Sequence, residues 1–547
     1  MPSAHVDTFA RDHMPPMDQQ PEFLFELPEL QFPAQLNCAT ELLDSAVARG
    51  FGPRVCIRAD GLQWSYADLL ERANRVAEVL VSEMGLQTGN RVLLRAPNNP
   101  MLAACWFGVI KAGGIAVATM PLLRAKELSF VIKKARITHA LCDAALEAEL
   151  QIAAADCPVL QHTRLFNTAK ISALGSAADK SLESAMARQT GHFSNVDTAA
   201  DDTCILAFTS GTTGVPKATM HFHRDVMAIC ACWPPHVLRP RADDIFIGSP
   251  PLAFTFGLGG LLLFPMRVGS STVLLEKAGP QQLVDAIQHH GATVMFTAPT
   301  SYRAIVMQAQ AQGQALPIGT LRLCVSAGEA LPASTRALWR QATGIELIDG
   351  IGATELLHIF ISADATQALP GATGKPVPGY RACVMDDDMH PLPPGQVGKL
   401  AVKGPTGCRY LDDERQARYV RDGWNLTGDA YLMDAEGYFY YQARTDDMII
   451  SAGYNIAAPE VEDALLLHPA VAECGVIGLA DEDRGQIVKA FVVLRSGCTP
   501  GPEQVLALQD FVKQTVAPYK YPRMVEFVDA LPRTETGKLQ RFKLRKF

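Results

Sequence analysis

No run of about 18 or more apolar residues occurs in this sequence. The nearest candidate, Phe254 to Met266, is broken by glycines and followed by Arg267, so no transmembrane helix is expected and no membrane partner. Charge of one sign is not in large surplus either. The formal net charge is −8, which gives no general attraction to nucleic acid or to anionic lipid. An anionic substrate must therefore meet local positive charge. Cysteine has no framework: the 13 thiols are odd in number and scattered. Cys230 and Cys232 have no second pair to make a zinc site. Reduced thiols and a cytoplasmic location are expected. The stretch up to Gln20 carries Asp7, Arg11, Asp12 and Asp18 without an apolar core, so no secretory signal is expected.

What is present is an ordinary globular composition, 48% hydrophobic and 19% charged over 547 residues, a length that implies about two to four domains. Residues up to about 35 are rich in Pro, Asp and Gln and read as an extended surface arm. Apolar residues then recur at helical spacing from Leu69 to Val81, with Gly85 as a stop. Strand-like runs at Arg91–Leu94, Ile115–Ala118 and Ala140–Cys142 alternate with helical segments at Met101–Ala112 and Glu127–Lys134. That alternation predicts parallel, doubly wound α/β sheets. A less regular stretch, Asp156 to Asp202, is expected to link two sheet systems. Alternation resumes with a helix at Gln281–His290 and strands at Thr293–Phe296 and Leu321–Val325. From Gly371 onward, Pro/Gly turns and short strands such as Lys399–Val402 predict a smaller β-rich subdomain. The last hundred or so residues carry their own strands and helices and are expected to form a separate α+β domain.

The chemistry centres on Phe208-Thr209-Ser210-Gly211-Thr212-Thr213-Gly214-Val215-Pro216-Lys217. The apolar run Cys204–Ala207 reads as a buried strand emptying into this loop. Glycines let backbone N–H groups converge, hydroxyls add donors, and Lys217 adds a full charge, which suits a phosphate-rich ligand. The loop is not of the Walker type, since Pro216 precedes the lysine and Ala218 follows it. No convincing Ser-His-Asp arrangement or metal-ligand cluster is visible.

These ten residues closely resemble the phosphate loop of the adenylate-forming enzymes, the superfamily of acyl- and aryl-CoA ligases, luciferases and peptide-synthetase adenylation domains. Further segments match in order. Asp349-Gly350-Ile351-Gly352-Ala353-Thr354-Glu355 is similar to the family's Gly-x-Thr-Glu segment, with Ile351 where many members carry Tyr. The resemblance implies that Thr354 meets the α-phosphate, that Glu355 helps hold Mg2+, and that Asp349 to Gly352 line the adenine. Trp424 to Asp429 resembles the segment whose carboxylate, here Asp429, accepts from the ribose hydroxyls, although Gly-Asp alone is also a common turn. Arg444-Thr445-Asp446 resembles the interdomain junction, with Arg444 on the ribose and Asp446 as hinge. This implies a large domain over 1–443 and a small mobile one over 444–547. Gly453 matches a glycine that lets the pantetheine thiol of coenzyme A approach. Lys538, in Pro532 to Lys538, matches the lysine that contacts the carboxylate and α-phosphate during adenylation.

The acid is expected to be aromatic. Phe254-Thr255-Phe256-Gly257 puts two rings beside a glycine, which would build a flat slot, and His358-Ile359 offers a second wall. Together with Ser326 to Pro332 these resemble benzoate-CoA ligases, which implies Ala327, His358 and Ile359 at the acid and Gly328 and Glu329 at the nucleotide. Benzoate ligases tend to carry Ala-Tyr at Thr255-Phe256. The Thr255 hydroxyl could accept from a ring substituent, and the arm Asp7 to Pro16 looks like the start of 2-aminobenzoate-CoA ligases. The expected activity is thus an ATP-dependent aryl-CoA ligase using ATP, Mg2+ and coenzyme A. The favoured acid is 2-aminobenzoate, then benzoate, in a monomer or homodimer. The alternatives are a medium-chain fatty acid or transfer to a carrier protein.

Overall fold

The computed structural model describes residues 3–170, 181–209, 216–313, 315–444, 447–451, 454–481, 484–516, 518–533 and 539–545. Two α/β sheets form the bulk of the chain. The six-stranded sheet has the order His162–Phe166, His139–Asp143, Arg91–Arg95, Ile115–Thr119, Thr203–Thr209, Lys217–Phe222. Its first five strands run parallel and the last antiparallel. The nine-stranded sheet has a parallel centre extending from Leu347–Gly352 through Leu323–Ser326, Val294–Thr297, Ile245–Gly248 and Ser271–Val273 to Val55–Ala59. Antiparallel strands close both of its ends.

The helix Pro100–Lys111 explains how the sheets are held together. Every one of its residues is buried, as expected for a helix apolar all round, and one hydrophobic core joins its Leu102, Phe107 and Ile110 to Leu94 of the first sheet and Phe296 of the second. Its single cation, Lys111, is neutralised by Asp44 at 2.6 Å.

Two expectations are corrected. The stretch 156–202 does not link two sheets. It supplies the edge strand His162–Phe166 and the Ser181-capped helix Leu182–Met186, and the chain then continues in the same sheet at Thr203. The edge strand is only half buried, so its sequence lacks the apolar run of a central strand. The change of sheet comes later, through the helix His223–Trp233. The N-terminal arm is also more than a surface strap, because Ala10, Leu24 and Leu30 are buried and the Asp7 carboxylate pairs with Arg91.

Beyond these sheets, Arg381–Met385, Val397–Lys403, Trp424–Met433, Val420–Arg421 and Phe439–Arg444 make an antiparallel sheet. From Ile449 the chain builds another five-stranded sheet, with the helices Ala458–Leu466 and Pro502–Thr515 and a core of its own around Val461, Val476, Val488 and Leu508. Arg533 of this part lies 3.7 Å from Glu329 of the large sheets. No helix among the described residues is long and apolar enough to cross a membrane.

Candidate active site

Thr209 and Lys217 are cross-strand partners at the end of the first sheet. Ser210, Gly211, Thr212, Thr213 and Gly214 themselves lie outside the described residues, as do Asp446, Gly453 and Lys538.

The Lys217 side chain turns toward a buried polar cluster. Its ammonium donates to the Tyr410 hydroxyl at 2.5 Å and stands 3.4 Å from Glu355 Oε1. Tyr410 in turn donates to the same carboxylate oxygen at 2.5 Å. Burial, reinforced by the Glu355 charge, pushes the Tyr410 phenol far up, so it stays protonated and acts as a donor. Glu355 occupies the single turn Thr354–Leu356 that follows the strand Leu347–Gly352. Leu357 closes that turn at φ 69°, a left-handed conformation unusual for a branched side chain. The Thr354 carbonyl accepts from His221 Nε2 at 2.8 Å. Behind it, Asp225 and Arg409 form a fully buried pair at 2.7 Å. Burial would raise the Asp225 carboxyl, but Arg409 and His221 outweigh it and bring it to about 2.

A second carboxylate stands opposite. Asp429 and Arg444 face each other across adjacent antiparallel strands, with Arg444 Nη1 donating to Asp429 Oδ1 at 3.0 Å and to the Thr427 carbonyl at 3.2 Å. Gly428, next to Asp429 in the chain, has φ 79°, and a Cβ there would come within 2.8 Å of the Arg444 guanidinium. Tyr419 lies within electrostatic reach of both carboxylates, its hydroxyl buried without a hydrogen-bond partner among the described residues. Burial raises its phenol well above the ordinary range, with Glu355 and Asp429 both adding to the shift.

The strand carrying Asp349, Gly350, Ile351 and Gly352 lies between Leu323–Ser326 and Ile359–Ser362. Asp349 is half-buried, and burial, only partly offset by Arg336 and the Gly350 N–H, raises its carboxyl to about 7. The neighbouring strand ends at Ser326 and passes through buried Ala327 into Gly328, at φ 93°, and Glu329.

Of the residues expected to line the acid, Phe256 and His358 pack together as an aromatic wall. Phe254 caps the short helix Thr255–Leu258. A Cβ on Gly257 would fall 2.1 Å from the Pro251 carbonyl oxygen, so glycine is required for this tight packing. Phe254, Thr255 and Phe256 are half-exposed, whereas His358 and Ile359 are each 2% exposed. The His358 ring packs against Phe264 at 4.6 Å, Trp233 at 5.6 Å and Phe256 at 5.8 Å. Burial drives its pKa down to about 3, so it is a neutral, aromatic wall.

Three contributors escaped the sequence reading. Tyr410, Tyr419 and Trp233 belong to no recognised segment, and only their juxtaposition with Glu355, Asp429 and His358 in space reveals them.

The AMP-binding enzyme family matches residues 45–409, and its C-terminal domain family matches residues 460–538. A benzoate–CoA ligase of Thauera aromatica is 34% identical over 95% of this chain and 97% of its own length. The crystal structure of the anthranilate CoA ligase AuaEII in complex with anthranoyl-AMP is similar at a TM-score of 0.88 and 32% identity, covering 95% of this chain and 98% of the other. A benzoate CoA ligase from Burkholderia xenovorans LB400 reaches a TM-score of 0.83 at 30% identity, over 93% and 99%. With both its large and its C-terminal parts matched, the chain belongs to the AMP-binding enzyme family, the adenylate-forming superfamily.

Proposed function

We propose that this AMP-forming acid–thiol ligase activates an aromatic carboxylate, with 2-aminobenzoate preferred over benzoate. The observation that carries the aryl reading is the aromatic wall made by Phe256 packed on the neutral, buried His358, ring centroids 5.8 Å apart. A flat apolar acid would be desolvated there without meeting a buried charge. The half-exposed Thr255 hydroxyl gives an ortho amino group an acceptor. The names of the benzoate and anthranilate ligases similar to this chain agree with that preference.

In the first half-reaction an acid oxygen would attack the α-phosphorus of ATP, forming aryl-AMP and releasing pyrophosphate. In the second, the thiol of coenzyme A would attack the acyl carbon and AMP would leave. The acid is already a nucleophile at neutral pH, so the protein's task is to offset repulsion and to position the reactants. The loop from Thr209 to Lys217 would hold the β- and γ-phosphates, and Thr354 the α-phosphate. Asp349 to Gly352, with Gly328 and Glu329, would line the adenine, and Asp429 with Arg444 would hold the ribose. The boundary near residue 444 would let the small domain turn about Asp446, taking Lys538 away from the nucleotide and bringing Gly453 toward the thiol.

The Glu355 carboxylate fits a hard cation. It is 7% exposed, and among the described residues it faces the Lys217 ammonium and the Tyr410 hydroxyl through one oxygen, Oε1. Mg2+ bound there would neutralise phosphate charge. The protein's own part is to hold that carboxylate through Tyr410 and to add the charge of Lys217.

The test is pyrophosphate release from ATP with a panel of acids, comparing kcat/KM for 2-aminobenzoate, benzoate and a medium-chain fatty acid, with and without coenzyme A. Preference for the fatty acid would end the aryl reading. AMP release that ignores coenzyme A would favour transfer to a carrier protein instead.

A further inference from the structure

The strand that ends at Thr209 begins beside a second cluster, which the proposed reaction does not use. Cys204 on that strand, Cys38 just ahead of the helical segment Thr40–Asp44, and His223 at the first position of the helix His223–Trp233 come from three separate elements. All three are 0% exposed. Their ligand atoms lie within 4.8 Å of one another, and Cys38 Sγ is 3.3 Å from His223 Nδ1. Sulfur and nitrogen ligands around one tetrahedral zinc ion stand roughly 3.5–4 Å apart, from bond lengths of about 2.3 and 2.0 Å. The cluster is therefore at ligand spacing already.

The Cys38 backbone N–H points at His223 Nδ1 at 3.2 Å, so Nδ1 bears the lone pair and Nε2 the proton, and forming the metal–nitrogen bond at Nδ1 displaces this backbone hydrogen bond. Nε2 is buried without a hydrogen-bond partner, so no competing contact holds the other tautomer. With a strand rise of about 3.3 Å per residue, Cys204 is roughly 16 Å from Thr209. The cluster is thus distinct from the nucleotide site.

We propose that Cys38, Cys204 and His223 form a buried site for one thiophilic d10 cation, Zn(II) or Cu(I). Two thiolates and a neutral imidazole cancel the charge of a dication, which is what burial requires. The same sulfur and imidazole set also suits Cu(I), which leaves one negative charge on the site. The ion would tie the N-terminal segment to the sheet and to the following helix. Binding releases the two thiol protons to solvent and forms two metal–sulfur bonds and one metal–nitrogen bond, with no change of oxidation state.

The experiment uses the full chain, reduced and free of metal, under anaerobic conditions. Co(II) is titrated as a spectroscopic probe, then Zn(II) and Cu(I) against chromophoric chelators. The expected result is about one equivalent bound with thiolate-to-metal charge-transfer absorption, a raised Tm, and loss to below about 0.2 equivalents in Cys38→Ser and Cys204→Ser. Cys38→Ser should retain ATP- and acid-dependent CoA ligation, which separates this site from the proposed reaction. A wild-type chain that shows no thiolate charge-transfer band and retains neither Zn(II) nor Cu(I) overturns the proposal, whether or not the variants fold. So does unchanged stoichiometry in the serine variants.

Discussion

The Tyr410 hydroxyl donates to Glu355 Oε1 at 2.5 Å while accepting from the Lys217 ammonium at 2.5 Å. One phenol therefore fixes both the carboxylate suited to a cation and Lys217, at the end of the proposed phosphate loop. Tyr410→Phe keeps the ring, against which Lys217 also packs at 4.5 Å, and deletes both hydrogen bonds. Hydrogen bonds to charged groups are worth about 1.5–3 kcal/mol. We expect pyrophosphate release to slow by roughly 10- to 100-fold, with more Mg2+ needed for half-maximal rate. An unchanged Mg2+ dependence would show that the phenol only packs.

Asp429 faces Arg444, and a bound ribose would share that carboxylate. Asp429→Ala removes the acceptor and leaves the guanidinium without this partner, so the KM for ATP should rise roughly tenfold. A cycle with 2′-deoxy-ATP checks the assignment. The wild type should discriminate against the deoxy nucleotide, and the variant should handle both alike. Equal discrimination by both proteins would remove Asp429 from the ribose.

Gly259 lies directly behind His358. A Cβ there would stand 2.4 Å from His358 Cδ2 and 3.1 Å from Phe264, and the imidazole is hemmed in by Trp233 and Phe256. Gly259→Ala should therefore displace the wall of the proposed acid site and lower kcat/KM for the preferred acid by roughly tenfold or more. The KM for ATP should hold. A rise in the ATP constant alone would sever the link between His358 and the acid.

His358 also makes a statement about pH. Its ordinary pKa of 6.5 falls to about 3 in the folded chain, so the unfolded chain binds the proton first. The stability this gives is complete above pH 6.5 and is lost as the pH falls toward 3. Between pH 6.5 and 5 the loss is about 2 kcal/mol. In urea unfolding at those two pH values, His358→Leu should lose less stability across the interval than the wild type does. An identical decline in both proteins would refute this account.

Much of this was legible in the sequence where local pattern and final environment coincide. The helix expected at Gln281–His290 forms as Pro280–His290, because its apolar spacing marks the face that packs. Lys217 and Glu355 were singled out separately, for phosphate and for a cation, and only the structure places them 3.4 Å apart. Tyr410 was invisible because its role depends on a neighbour 55 positions away, and nothing in Gly407-Cys408-Arg409 signals it. The edge strand His162–Phe166 was missed for a related reason: His162, Thr163 and Arg164 are only partly buried, so it carries no apolar run. The Cys38, Cys204 and His223 cluster has no sequence spacing at all, since three distant elements bring it together.

The two-step mechanism makes the sharpest demand on residues at and beyond the proposed hinge. Lys538 would serve only while it faces the nucleotide. Lys538→Ala should then slow adenylation by roughly 100-fold or more and leave thioester formation from preformed aryl-AMP nearly intact. Asp446→Pro should do the reverse, because proline fixes φ at the residue that must rotate, and the half-reaction after the domain turn would suffer more. Single-turnover measurements of pyrophosphate and of the thioester separate the steps. Equal damage to both halves in both variants would mean that one domain arrangement serves the whole reaction.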